Sequence, residues 1–167
     1  IISEKSNRKT YEKGMESMPS ESVCYPAKLA HGHVMSLLKQ GIKTIFYPCI
    51  PYNRKEYEQA DNHYNCPIVI SYSEVIKNNI EELRDPSIKY LNPFLPIDNI
   101  KNLANIIYDD ENFKEYKFTR KELLEAATAA EEEYQKLKKD IYIKGKETLK
   151  FIEENNLRGI VLAGRPY

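Results

Sequence analysis

IFYPCIPYNRKEYEQADNHYNCPIVISY, residues 45–72, decides how this chain is read. It carries two short apolar runs, KTIFYP (43–48, beginning just upstream) and PIVISY (67–72). Both are rich in β-branched and aromatic residues, and both are bounded by proline or polar sequence. That is the pattern of strands buried on both faces. The polar, Tyr- and Asn-rich connection between them, 49–66, reads as irregular, with one helical turn around Lys55–Ala60.

Working outward, the same alternation continues. Upstream, Pro26 suits the first turn of a helix, where a missing N–H costs nothing. Leu29, Val34, Leu37 and Leu38 follow at near-helical spacing, and Gly41 is a good stop. Downstream, Ser73 caps a helix through about Glu82, IKYL supplies a third strand at 88–91, and Asp98 caps a helix through Tyr108. Thr119 and Glu122 form a capping box. The helix behind it is long, with Leu123, Ala127, Ala130, Tyr134, Leu137 and Ile141 forming a narrow heptad-like seam. Gly145 is a candidate break in it. RGIVLAG (158–164) closes the chain as another buried-strand pattern. Strands alternating with helices predict an α/β fold: a mostly parallel, Rossmann-like three-layer sheet with helices on both faces, plus a long C-terminal helix. Ligands of such sheets bind beyond the carboxyl ends of the strands.

Composition narrows the class. The chain of 167 residues suits one α/β domain, 1–167. Lys+Arg and Asp+Glu are both 25, and this balance argues against a dominant nucleic-acid footprint, which needs a basic excess. No apolar run approaches the roughly 18 residues of a membrane-spanning helix. Three cysteines, an odd number, fit a closed disulfide framework poorly and suit a reducing cytoplasm. The start lacks methionine and the end, GRPY, comes directly after an apolar run. The expectation is a piece excised from a larger multidomain protein.

Chemistry concentrates around VCYPAKLAHGH, residues 23–33. Cys24 precedes a helix start, where unpaired N–H groups and the helix dipole favour an anion. Cys49 follows the first strand, at the ligand edge. A lone cysteine is most often a small buried hydrophobe, and no C-x-x-C pair is present, so buried side chain, nucleophile and metal ligand all stay open. His31 and His33 lie about 200° apart on a helix and cannot chelate one ion together. A satisfied structural histidine is the plain reading of each; His63 is unassigned. A Cys24–His31 nucleophilic pair has no identified orienting carboxylate. Cys66 precedes its strand and Cys49 follows its own, which puts them at opposite edges, about 17 Å apart, unless 49–66 folds back. A half-buried packing role is therefore expected for Cys66. Arg165 ends the last strand and suits an anion, or simply the surface.

The runs PSESVCYPAKLAHGH, IFYPCIPY, DNHYNCPIV, SYSEVIKNN, NPFLP and GIVLAGRPY resemble the uncharacterised domain of large acyl-CoA dehydratase activase-related proteins, the CoA-substrate-specific enzyme activase-like proteins. That resemblance spans nearly the whole chain and implies partners: other domains of the parent protein, including an activator-type ATPase, and a dehydratase or reductase component. A more distant similarity runs to the 2-hydroxyacyl-CoA dehydratase subunits. There a P-x-E-x-x-C-like segment and a cysteine just after a strand help to hold a [4Fe–4S] cluster. Pro19 to Cys24 and Phe46 to Cys49 occupy matching places. The similarity implies an iron–sulfur electron-transfer module with Cys24 and Cys49 as ligands, Cys66 matching less well, and a third ligand from elsewhere. The alternatives are an interaction scaffold built on the long helix, with structural cysteines, or an acyl-CoA or nucleotide site at Arg165.

Overall fold

The computed structural model describes residues 1–164. Its helices are α1 (Arg8–Lys13), α2 (Tyr25–Lys39), α3 (Pro67–Asn79), α4 (Ile100–Asp109) and α5 (Arg120–Glu154). Its strands are β1 (Thr44–Phe46) and β2 (Lys89–Leu91), with short 3-10 turns at Met15–Ser17, Glu81–Arg84 and Glu111–Tyr116. The two strands pair in parallel, Thr44 with Lys89, Ile45 with Tyr90 and Phe46 with Leu91. The ladder runs on irregularly. The Cys49 N–H donates to the Pro93 carbonyl at 2.9 Å, and the Leu95 N–H to the Cys49 carbonyl at 2.9 Å.

The parallel pairing and the long capped helix agree with expectation; the three-layer sheet does not. Among the described residues the sheet has two strands. PIVISY, expected as a strand, is the first half of α3. A run of six residues cannot separate strand from helix by itself. The longer period decides: Val69, Ser73, Ile76 and Ile80 step four, three, four and so share one helix face. Pro67 fills the first turn, where it costs no hydrogen bond. Ser73 is therefore inside the helix, not its cap. RGIVLAG is not a strand either; Ile160, Val161 and Leu162 are open to solvent. A continuous apolar run becomes a buried strand only beside strands that can pair with it.

The core sits where α2 and α3 cover β1. Ala30, Val34, Ile45, Ile76 and Ile80 form its buried centre, with Met35, Leu38, Tyr47 and Tyr90 packed around them. Ser73 joins the layers. Its hydroxyl donates to the Tyr47 carbonyl and lies 3.0 Å from the Tyr90 hydroxyl. On the other side of α2 packs α1, a short helix that the polar start of the chain did not announce. The approach is backbone on backbone, because a Cβ on Gly32 would stand 1.7 Å from the Thr10 carbonyl oxygen. One on Gly14 would stand 2.4 Å from the Gly32 nitrogen.

Two smaller expectations shift. The cap of α4 is Asn99, one residue after Asp98, and its side chain accepts the Asn102 N–H at 3.0 Å. The Thr119–Glu122 capping box forms as expected. Gly145 does not break α5; a helical glycine costs only about 1 kcal/mol relative to alanine. The first turns of α5 pack on α4, and Arg54 ties the helix to the 49–66 connection. Its guanidinium donates to Glu131 at 2.7 Å and stacks 4.1 Å over the Tyr134 ring. Beyond that clamp, residues 135–151 are exposed on every side.

Candidate functional site

Two helix starts face each other near the carboxyl ends of the strands. Cys24 is the N-cap of α2 and Cys66 the N-cap of α3, and each is followed by a proline in the first turn. Neither side chain caps its own helix, so both thiols are left for other partners. Cys24 is exposed and Cys66 half-buried; all three cysteines are free. Tyr72 of α3 reaches the first of them. Long side chains on a helix lean toward its N-terminus, which turns the Tyr72 ring back toward the start of α3. Its hydroxyl lies 3.9 Å from Cys24 Sγ. Burial, then the bond to Cys24, push the Tyr72 phenol up, so it stays protonated.

Cys66 does not start a strand at the opposite edge of the sheet, because PIVISY is helical and the connection is not open. Instead 49–66 folds back on itself. Tyr52 bridges Tyr64, the Asn65 N–H donates to the Pro51 carbonyl at 3.0 Å, and Asn65 Nδ2 donates to the Ile50 carbonyl at 2.9 Å. This returns Cys66 to the end of the sheet from which the chain left at Cys49. Cys49 itself is 1% exposed. Burial, then the neighbouring Glu74 carboxylate, hold its thiol above the usual range, opposed by the Glu74 backbone and Ser73. Tyr47 beside it is pushed up to about 12, by burial first and then by Cys49.

The histidines separate as helix geometry requires. Buried His31 places Nδ1 2.9 Å from the Ser17 hydroxyl, whereas His33 places Nε2 2.9 Å from the Ser6 hydroxyl. Burial lowers the pKa of both, so both are neutral at pH 7. His63 turns away to Asp98, at 3.4 Å. Arg165 lies outside the described residues. Among the described residues no three His, Cys, Asp or Glu side chains gather as a complete metal site. No helix among them is long and apolar enough to cross a membrane.

Tyr72 went unnoticed in the sequence. As part of a strand it would face either side of a sheet. As a helix residue it shares a face with Ile68 and Val75, and that face meets α2. The signal was present in the continued 69–73–76–80 period, which extends past the six-residue window.

A family model described as "CoA enzyme activase uncharacterised domain" matches residues 1–167. No curated protein and no solved structure matches the chain.

Proposed function

Because the chain belongs to the CoA enzyme activase uncharacterised domain family, we propose that it is an iron–sulfur, electron-transfer module of a CoA-enzyme activation system. The observation that carries this reading is that two free cysteines stand at helix starts, Cys24 with its Sγ 3.9 Å from the Tyr72 hydroxyl and Cys66 at the start of the helix that holds Tyr72. Soft thiolates select iron–sulfur groups, and two helix N-termini offset the negative charge of such a group. One-electron transfer is the chemistry a [4Fe–4S] cluster supplies when bound. Tyr72 would donate a hydrogen bond to its sulfur, and the proline-stiffened helix starts would fix the ligand positions. Cys49, the partner expected for Cys24 from the sequence, is the weaker candidate because its thiol is buried and held protonated. A [4Fe–4S] cluster takes four ligands, so this donor set is part of a site. The remainder would come from another domain or partner of the activation system, such as its ATPase or the dehydratase or reductase component. A reducing cytoplasm suits three free thiols.

The test is anaerobic iron–sulfide reconstitution, read by bound iron and visible charge-transfer absorbance. We expect Cys24→Ser and Cys66→Ser each to lower iron content, and Cys49→Ser to lower it least. Equal iron in a Cys24→Ser, Cys66→Ser double variant and the parent would sink the reading.

The second reading is an interaction scaffold. It is favoured by α5, whose Leu137, Ile141 and Tyr142 stand open to solvent on an otherwise charged helix. Alkylation of the metal-free chain separates the two. Thiols at 24 and 66 that modify readily suit a site, and inert ones suit a scaffold.

A further inference from the structure

Two parts of the chain carry sheet-forming groups that no sheet takes up. The first is the outer edge of β1. The Lys89 N–H donates to the Lys43 carbonyl at 2.7 Å and the Tyr47 N–H to the Leu91 carbonyl at 2.8 Å, so the odd-numbered residues of β1 bond toward β2. The N–H and C=O groups of Thr44 and Phe46 therefore point away from β2, and they bond to nothing among the described residues. A groove of about 500 Å³ lies at this edge, lined by Ile45, Phe46 and Tyr47 and by Leu29, His33 and Leu37 of α2, with no residue of β2 in its lining. Ile1 and Ile2 border it but stay 94% and 93% exposed, and no backbone bond joins residues 1–6 to β1. An uncovered strand edge beside a mainly apolar groove is a template for one more strand.

The second part is RGIVLAG, residues 158–164. Ile160, Val161 and Leu162 are 95%, 94% and 96% exposed, and no backbone group of 158–164 is bonded among the described residues. A continuous apolar run of this kind suits a strand covered on both faces. The β1 edge of its own copy is out of reach. Helix α5 leaves the body at the Arg54–Tyr134 stack, and residues 135–151 touch nothing that would bring them back. The Leu157 N–H donates to the Ile152 carbonyl at 3.0 Å, and a Cβ on Gly159 would stand 3.0 Å from Ile152 Cδ1, so the segment starts at the far end of the arm. From Tyr134 to Ile152 the helix runs roughly 27 Å, whereas the chain from Gly159 to Gly164 spans at most about 18 Å.

We propose that residues 158–164 of one copy add as a strand to the outer edge of β1 in a second copy, with apolar side chains of the run seated in the groove beside α2. The Thr44 and Phe46 backbone groups gain partners, and Ile160, Val161 and Leu162 gain cover. Each copy holds one such strand and one such edge. A reciprocal exchange about a two-fold axis therefore satisfies both and closes as a dimer. The exchange rests on neither reading of the function, since no cysteine and no part of the apolar seam of α5 takes part in it.

Sedimentation of the chain at rising micromolar concentration should show the 19.5 kDa monomer giving way to a species of twice that mass. Hydrogen exchange locates the contact. The Thr44 and Phe46 amides should slow as concentration rises, by a larger factor than the Tyr47 amide, which is already bonded to Leu91. Val161→Pro removes a strand N–H at a position 94% exposed, so the fold is kept, and it should weaken association at least tenfold. Isotopically labelled Val161→Pro, mixed with unlabelled parent, has an intact edge and a broken strand. Its Thr44 and Phe46 amides should still slow, which only a strand from another copy can bring about. The inference is overturned if the parent stays monomeric throughout, or if the two amides exchange at one rate at every concentration. It is overturned too if Val161→Pro associates as tightly as the parent, which would put the contact on the α5 arm instead.

Discussion

Ile76 and Ile160 are the same residue in two regions that obey different rules. Ile76 is 0% exposed, packed between α2 and β1; Ile160 is 95% exposed, in the segment after α5. Ile76 lies in the stretch read from its pattern as a helix, and Ile160 in RGIVLAG, a run that looks like a buried strand. The difference lies in what surrounds them. The α2–β1–α3 region closes on itself through Ser73, Tyr47 and Tyr90, so Ala30, Val34, Ile45, Ile76 and Ile80 bury one another. The second half of α5 and residues 155–164 leave Leu137, Ile141, Leu149 and Val161 uncovered. Apolar pattern is a demand for burial, and only the first region supplies it within this chain.

Substitutions can test how sharp that contrast is. The largest effect is expected from Ile76→Ala, which empties a fully buried site. Chemical denaturation should report a loss of about 2–5 kcal/mol, the range for buried isoleucine truncation. Gly32→Ala comes next, because a methyl there meets the Thr10 carbonyl and α1 must move. A loss of about 1–3 kcal/mol is expected, as for other overpacked sites, with exchange of the α1 amides speeding up. Arg54→Ala removes both the ion pair to Glu131 and the stack on Tyr134. These groups are only partly buried, so the loss should be about 1 kcal/mol, measured by thermal melting, and should be weaker at high salt.

Acidification probes the same contrast through His31. Its folded pKa lies below the ordinary value of about 6.5, so the unfolded chain takes the proton first. Stability is complete above that value and is lost as pH falls through it toward the folded pKa. The melting temperature should drop more between pH 7 and pH 5 in the parent than in His31→Gln. The smallest effect belongs to the arm. Leu137→Ala should change stability by less than about 0.5 kcal/mol, and hydrogen exchange should be faster across 135–154 than across α3. A large loss at Leu137 would mean that the arm is covered after all.

Much of the fold was legible. Pro26 and Gly41 bracket α2 to within two residues, KTIFYP and IKYL contain the two strands, and Thr119–Glu122 marks the start of α5. PIVISY was not legible as a helix because six residues carry less than two helical turns, too few to distinguish the periods. The candidate site shares this history. Cys24 at a helix start was readable from Cys-Tyr-Pro. Cys66 as its neighbour was not, because it required both α3 to be a helix and 49–66 to double back. Neither α1 nor the Gly14–Gly32 contact has a hydrophobic signature at all.

By itself the sequence determined the local elements that its caps and prolines dictate, since those interactions reach only three or four residues. It also determined that His31 and His33 cannot share an ion, a consequence of helical rotation alone. Tertiary structure decided which apolar runs are buried, because burial needs a second surface and that surface comes from residues far along the chain. It likewise decided that the Tyr72 hydroxyl lies 3.9 Å from Cys24 Sγ and that 49–66 folds back ahead of Cys66. Cys24 and Tyr72 lie in two segments more than forty residues apart, and the packing of α3 on α2 brings them together.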